Sequence, residues 1–87
     1  MSEETLLEFP CSFPIKAMGK NDVELDILVI EIIRRHAPDI SHHHVKTRPS
    51  KDGNFLAVTA TIQATSKQQL DAIYQDLTAH PLVLYAI

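Results

Sequence analysis

The chain lacks several features that would each point to a definite biochemical class. It has one cysteine, Cys11, in 87 residues, so no disulfide can form within it. It has no long uninterrupted apolar run, because its most apolar stretch, residues 23–33, is broken by Glu24, Asp26 and Glu31. A bilayer-spanning helix needs about 20 mostly apolar residues. With no signal-peptide pattern either, we expect a cytoplasmic protein that does not enter a membrane.

What the sequence does contain is a clear hairpin. Residues 55–64 alternate between an apolar set and a small, mostly polar set, which predicts a strand with one buried face. The apolar set is Leu56, Val58, Ala60 and Ile62. A polar loop over residues 49–54 connects this strand to an earlier one that begins near Val45. An antiparallel sheet with one apolar face has to be covered on that side only.

The rest of the chain supplies two helices to cover it. We predict a strand over residues 13–18, a helix from Asn21 or Asp22 to Ala37, a helix that starts at Thr65 with Gln68 at capping-box spacing and ends before Pro81, and a last strand over residues 82–87. The order strand, helix, strand, strand, helix, strand predicts an α+β ferredoxin-like plait. Its four-stranded antiparallel sheet would have the order 4-1-3-2, with both helices on one face. We expect one domain over residues 1–87, with residues 1–8 flexible.

The sequence also resembles a known family. The matching stretches are Leu6-Leu7-Glu8-Phe9-Pro10, Lys16-Ala17-Met18-Gly19, Arg35-His36-Ala37-Pro38 and Pro49-Ser50-Lys51-Asp52-Gly53-Asn54. They look like the YbeD family of small bacterial proteins, over nearly the whole chain and at matching spacing. The resemblance implies a cytosolic plait, similar in shape to the ACT-type regulatory domains that bind small effectors. It implies no established catalytic residue. The chain departs from the family pattern at residues 42–44 and in its unusually apolar first helix.

No constellation predicts catalysis or a resident cofactor. Cys11 lies in an extended segment between two small residues, without an adjacent base that would lower a thiol pKa. The loop after the first strand lacks the Cys-x-x-Cys pair of metal-chaperone plaits and the arginine of an acylphosphatase-like phosphate loop. We therefore predict that the chain is not an enzyme, with no catalytic residue and no cofactor.

Three consecutive histidines are the one candidate for metal binding. On a strand His42 and His44 share a face, while His43 points the other way. A structural zinc site takes four nitrogen or sulfur ligands, which this stretch does not supply alone. We predict an exposed polar strand entry without a metal, and keep His42 and His44 as candidate ligands.

Strand parity predicts a mildly basic face on the uncovered side of the sheet. If Val58 and its apolar neighbours face the helices, then Lys16, Lys46 and Arg48 face outward. The chain as a whole has a formal net charge of -3, so this charge would be segregated.

This face predicts a regulatory or binding domain for a small anionic metabolite or a protein partner. The candidate contacts are Lys16, Gly19, Lys20, Asn21, Lys46 and Arg48, the three loop residues being included because helix N-termini bind anions. RNA binding is disfavoured, because plaits that bind RNA stack bases on aromatic residues of the central strands, and here only Phe55 could do so, joined by Tyr85 if the last strand has the required parity.

The alternative is a structural interaction module. The first helix has more apolar residues than one stripe requires, which fits either a deeply embedded helix or contact with another chain. The last strand is apolar on both parities and, as an edge strand, would favour pairing with a second copy. Docking or homodimerisation through the helix or this edge is therefore also predicted.

Overall fold

The structure, a computed structural model, describes residues 8–22 and 24–87. Its elements are β1 (Cys11–Lys20), α1 (Leu25–Arg34), β2 (Val45–Pro49), β3 (Phe55–Ala64), α2 (Lys67–Ala79) and β4 (Val83–Ala86), with a short 3₁₀ turn at His42–His44. The sheet order is β2-β3-β1-β4 and each neighbouring pair is antiparallel. This is the predicted 4-1-3-2 order, and the ferredoxin-like plait is confirmed. The predicted flexible segment is residues 1–8, of which residues 1–7 lie outside the described residues.

Alternate residues of the two central strands are buried, as their sequence pattern predicts. The buried set is Ile15, Ala17, Gly19, Val58, Ala60, Ile62 and Ala64. The helices contribute Leu25, Val29, Ile30, Ile32, Ile33, Leu70, Ile73 and Leu77 to the same core. Both helices therefore cover one side of the sheet, and the intervening strand residues face the other way. We call that other side the outer face.

Pro14 lies inside β1, a central strand, where a proline would normally remove a ladder hydrogen bond. Lys16, two residues later, exchanges both of its backbone hydrogen bonds with Ile87, at 2.8 and 2.9 Å. The backbone groups of Lys16 therefore point toward β4, and by alternation so does the nitrogen of Pro14. Among the described residues the pairing with this side ends at Lys16, so the proline leaves no partner unsatisfied.

The first helix starts later and ends earlier than predicted. Asn21 does not cap it: its backbone N–H donates to the Asn54 carbonyl at 2.9 Å, and its side-chain amide donates to the Gly53 carbonyl at 3.1 Å. Asn21 thus fastens the end of β1 to the hairpin loop, and α1 begins only at Leu25. At the other end the helix stops at Arg34, and the predicted end at Ala37 is wrong by three residues.

The second helix is capped one residue later than predicted. The Ser66 hydroxyl, not that of Thr65, accepts a hydrogen bond from the Gln69 backbone N–H at 3.0 Å. The Gln69 side chain accepts from the Thr65 backbone N–H at 2.7 Å and donates to the carbonyl of His36 at 2.8 Å. Gln69 therefore both completes the cap and joins α2 to the end of α1. Gln68, the predicted partner, is exposed.

The hairpin loop that joins β2 to β3 is closed by polar side chains. Gly53 takes a φ of 79°, a backbone conformation that favours glycine. The Asp52 carboxylate accepts from the Ser50 hydroxyl at 2.7 Å and from the Asn54 backbone N–H at 3.1 Å. The first of these hydrogen bonds is the main reason that the pKa of Asp52 lies below its usual value.

Candidate functional site

The outer face brings the predicted basic residues together in two rows that cross the strands. The first row consists of Lys46, Thr59, Lys16 and Ile87. The second row consists of Arg48, Ala57, Met18 and Tyr85. The prediction that Lys16, Lys46 and Arg48 share the uncovered side of the sheet is confirmed.

The strands that form this face carry no acidic residue at all. The sequences of β1, β2, β3 and β4 contain neither aspartate nor glutamate, and they hold four of the chain's eight lysines and arginines. These four are Lys16, Lys20, Lys46 and Arg48, all exposed. The carboxylates of the chain lie instead on the helices, in the loops and in the N-terminal segment. A local positive potential on a chain of net charge -3 attracts anionic groups.

The β4 side of the outer face is apolar, which the sequence did not reveal. Tyr85 and Ile87 are 46% and 67% exposed, and the Tyr85 hydroxyl donates to the Met18 sulfur at 3.3 Å. A bulge sets this arrangement: Met18 pairs with Tyr85 while Gly19 pairs with Val83, so Leu84 is an extra residue without a partner in β1. Strict alternation from the buried Val83 would place Tyr85 inward; the bulge turns it to the outer face. In the sequence, the only signal for this exposed apolar surface was that residues 82–85 are apolar on both parities.

Of the three loop residues predicted to bind a ligand, two have structural roles. Gly19 is buried, and a Cβ there would collide with the backbone carbonyl of Leu82 and lie 3.0 Å from Leu25 Cδ2. The side-chain amide of Asn21 donates to the Gly53 carbonyl in the hairpin loop. Lys20 pairs with Phe55 and is exposed on the outer face. We therefore keep Lys20 with the basic face and assign Gly19 and Asn21 to packing and loop closure.

Two cavities lie at the margins of the sheet. One, of about 400 Å³, is bordered by Lys20, Phe55 and the hairpin loop. The other, of about 460 Å³, lies between the segment that follows α1 and the second half of β3. Two of the polar residues that line it are already engaged: His36 Nε2 lies 2.7 Å from Asp76 Oδ2, and the Gln69 side chain bonds to the Thr65 backbone N–H and the His36 carbonyl. Neither cavity contains Lys16, Lys46 or Arg48 in its lining.

The histidine stretch is not part of a strand, and that prediction is wrong. Residues 42–44 form a 3₁₀ turn because the His44 backbone N–H donates to the Ser41 carbonyl at 3.0 Å. His44 Nδ1 accepts from the Ser41 backbone N–H at 3.3 Å. His42 and His44 therefore do not share a strand face. Within residues 8–22 and 24–87, no three histidine, cysteine, aspartate or glutamate side chains come together in a group that could hold a metal ion.

The surplus of apolar residues on α1 is explained by burial. Five of its residues are in the core, and Leu28 is half-buried against it. Ile27, at 41%, is the one large apolar side chain of α1 classed as exposed. The embedded alternative is the one that the structure supports. Neither described helix is long and apolar enough to cross a membrane.

Comparison with known proteins places the chain in a family. Residues 4–87 match the model of a family described as "Protein of unknown function (DUF493)". The chain is 45% identical to a UPF0250 protein of Neisseria gonorrhoeae over 94% of its own length and 90% of the relative's. It is 49% identical to a UPF0250 protein of Chromobacterium violaceum, over 95% and 96% of the two lengths.

A solved structure supports the fold independently. The solution structure of protein HP0495 from H. pylori superposes with a TM-score of 0.73, covering 93% of this chain and 85% of that one at 12% identity. At such low identity the likeness concerns the fold alone. The sequence matches confirm the resemblance to the YbeD family: the chain belongs to the DUF493 family of UPF0250 proteins, whose function is not known.

Proposed function

We propose that the chain is a non-enzymatic binding domain that recognises an acidic protein partner through the outer face of its sheet. The observation that carries this proposal is the complete absence of carboxylates from four strands that hold Lys16, Lys20, Lys46 and Arg48. On a chain of net charge -3, such segregation favours association with a negatively charged surface and speeds the encounter.

A protein partner fits this face better than a small metabolite. Both cavities lie at the margins of the sheet, away from Lys16, Lys46 and Arg48, and small-molecule sites are usually concave. The cations instead stand on an open surface beside exposed apolar residues, as in many protein interfaces. A plait similar in shape to ACT-type domains would then act as a regulatory module by binding or releasing that partner.

Neutralising the basic face should weaken partner binding strongly. The test variant carries Lys16→Gln, Lys46→Gln and Arg48→Gln. The matched control carries Arg34→Gln, Arg35→Gln and Lys67→Gln, which remove the same charge from the helix side. Affinity capture from the native cell extract with the unaltered chain identifies the partner, and its Kd is then measured with purified proteins. We expect the outer-face variant to weaken binding by about 100-fold, as for loss of several interfacial charges, and the control to stay within about threefold.

The salt dependence and the chemistry of the partner decide the remaining outcomes. The Kd for an acidic partner should rise steeply between low and physiological salt, because exposed charges are screened. Equal loss of binding in both triple variants would overturn the proposal. So would thermal stabilisation by inorganic phosphate that vanishes in the outer-face variant while no protein binds, since this would assign the face to a small anion.

Self-association through β4 is a second candidate, favoured by a separate observation. Of the six large apolar residues exposed among those described, four lie within residues 82–87: Leu82, Leu84, Tyr85 and Ile87. This segment contains no charged residue that would repel a second copy. At the opposite edge of the sheet, β2 carries Lys46, Arg48 and Pro49, which discourage edge pairing.

We predict that Leu84→Lys shifts the chain toward monomer. A lysine at this edge introduces charge repulsion between two copies and costs burial of the leucine. Sedimentation velocity at micromolar concentration should show a dimer for the unaltered chain, and an increase of about tenfold or more in its dissociation constant for Leu84→Lys. Ile27→Lys on α1 is the matched control and should leave the dimer intact. A monomeric unaltered chain, or a dimer that only Ile27→Lys disrupts, would remove this candidate.

A further inference from the structure

We infer that the element accepted by the outer face is an acidic amphipathic α-helix of the partner, lying over the two central strands with its carboxylates toward β2 and its apolar side toward β4. This inference rests on the proposed function. Its basis is that the two halves of the outer face differ in chemistry. The β2 side presents Lys46 and Arg48, β1 presents Lys16 and Met18 nearer the middle, and β4 presents Tyr85 and Ile87 at the far side.

The spacing of the cations matches the repeat of a helix. Lys46 and Arg48 are two residues apart on one strand, which separates their Cα atoms by about 6.5–7 Å. Residues four apart on an α-helix are separated by about 6 Å along its axis and lie on the same side. A helix parallel to β2 would therefore direct two carboxylates at positions i and i+4 toward these two cations. Lys16, on β1, lies in the same row as Lys46 and would contact a third acidic group near the centre line.

The width of the outer face also suits a helix. The distance from β2 to β4 is three strand spacings, or about 14–15 Å, and a helix with its side chains is about 10–12 Å wide. Ala57 and Thr59 project from β3 between the two flanks, and their short side chains permit close approach of a helix. The apolar side of such a helix would then cover the exposed rings and chains of Tyr85 and Ile87. Burial of that apolar surface adds affinity that charge alone does not provide.

The other occupants fit less well. A partner strand added at the β2 edge would meet Pro49, which removes a backbone donor, and one added at the β4 edge would lie on the opposite side of the sheet from Lys46 and Arg48 and leave them uncovered. A second copy placed face to face would bring Lys16, Lys46 and Arg48 against their own equivalents. Like charges in an interface are unfavourable. An acidic helix offers the complementary charge and the complementary apolar side at once.

The inference is tested with synthetic peptides. The first is a helical peptide of 15 residues based on alanine, with glutamates at i, i+4 and i+8 on one flank and leucines on the other. The second has the same composition, with glutamate and leucine distributed around the whole helix. Each is titrated into the ¹⁵N-labelled full chain. We expect the first peptide to bind about tenfold more tightly or better, and to shift the amide signals of Met18, Ala57 and Thr59 most.

A pair of variants places the helix on the face. Ala57→Met places a larger side chain at the centre of the outer face without changing its charge. It should keep the helix further from the sheet and weaken binding of the first peptide by about tenfold. Thr47→Met, on β2 but at the opposite parity, should change it less than about twofold. The ¹⁵N spectrum of each free variant verifies its fold.

Every outcome separates this inference from the proposed function. Equal affinities for the two peptides, or equal effects of the two methionine variants, would overturn the helix. If the natural partner still depends on Lys16, Lys46 and Arg48 in that case, recognition of an acidic partner stands without the helix. Tight binding of the first peptide that survives Lys16→Gln, Lys46→Gln and Arg48→Gln would contradict both.

Discussion

Replacing Ile33 with alanine is expected to lower the free energy of unfolding by about 3–4 kcal/mol, because the substitution leaves a cavity in the core. Ile33 is fully buried where α1 packs over the sheet. A domain of 87 residues has a total stability of roughly 4–13 kcal/mol, so the loss is a large share of it. Urea unfolding should show a lower midpoint with an unchanged slope.

Ile27 provides a control on the same helix. Ile27→Ala removes the same atoms and gains the same helix propensity, but the side chain is 41% exposed. We expect a change of less than about 1 kcal/mol, well below that for Ile33. Similar losses at both positions would show that α1 is not embedded on one side as described, and would restore α1 as a docking surface.

The sequence predicted those parts of the fold that depend on local periodicity. The strand over residues 55–64 was predicted with its observed bounds, because a period of two in polarity and a glycine-containing loop are both local signals. The start of α1 was not predicted: Asn21, one of its two predicted caps, bonds instead to Gly53, 32 residues away. The cap of α2 was misplaced by one residue because Ser66 and Gln69 have the same capping-box spacing as Thr65 and Gln68, so the local pattern does not choose between them. The bond from the Gln69 side chain to the His36 carbonyl, 33 residues earlier, is seen only in the structure. Short-range patterns cannot report contacts of this range.

The candidate site divides in the same way. Its basic half followed from parity, because Lys16, Lys46 and Arg48 lie in regular parts of their strands. Its apolar half did not, because the bulge at Leu84 decides which way Tyr85 faces. A bulge is a property of the pairing between two strands, and the sequence of one strand does not contain it. The inference of an amphipathic partner therefore needed the structure.

Gly19→Ala is expected to destabilise the fold by about 3 kcal/mol, at the upper end of the usual cost of overpacking. A Cβ at this position would collide with the backbone carbonyl of Leu82, and it would lie 3.0 Å from Leu25 Cδ2. The carbonyl belongs to the segment that leads into β4, and Gly19 pairs with Val83, so relief would require β4 to move away from β1. The expected result is a fall in the thermal midpoint of about 12–24 °C for a domain of this size.

Gly53 separates crowding from the general effect of replacing a glycine. A Cβ at Gly53 would meet no atom within 4 Å, and the only cost is its φ of 79°. Gly53→Ala should therefore cost about 1–2 kcal/mol, less than Gly19→Ala. The comparison also tests the role of the loop after β1. If Gly19 served to cradle an anion rather than to admit the Leu82 carbonyl, Gly19→Ala would keep its stability and lose only binding. Gly19 is assigned to packing if Gly19→Ala loses more stability than Gly53→Ala while the refolded variant keeps the Kd of the unaltered chain for the partner. Recognition is then left to the outer face.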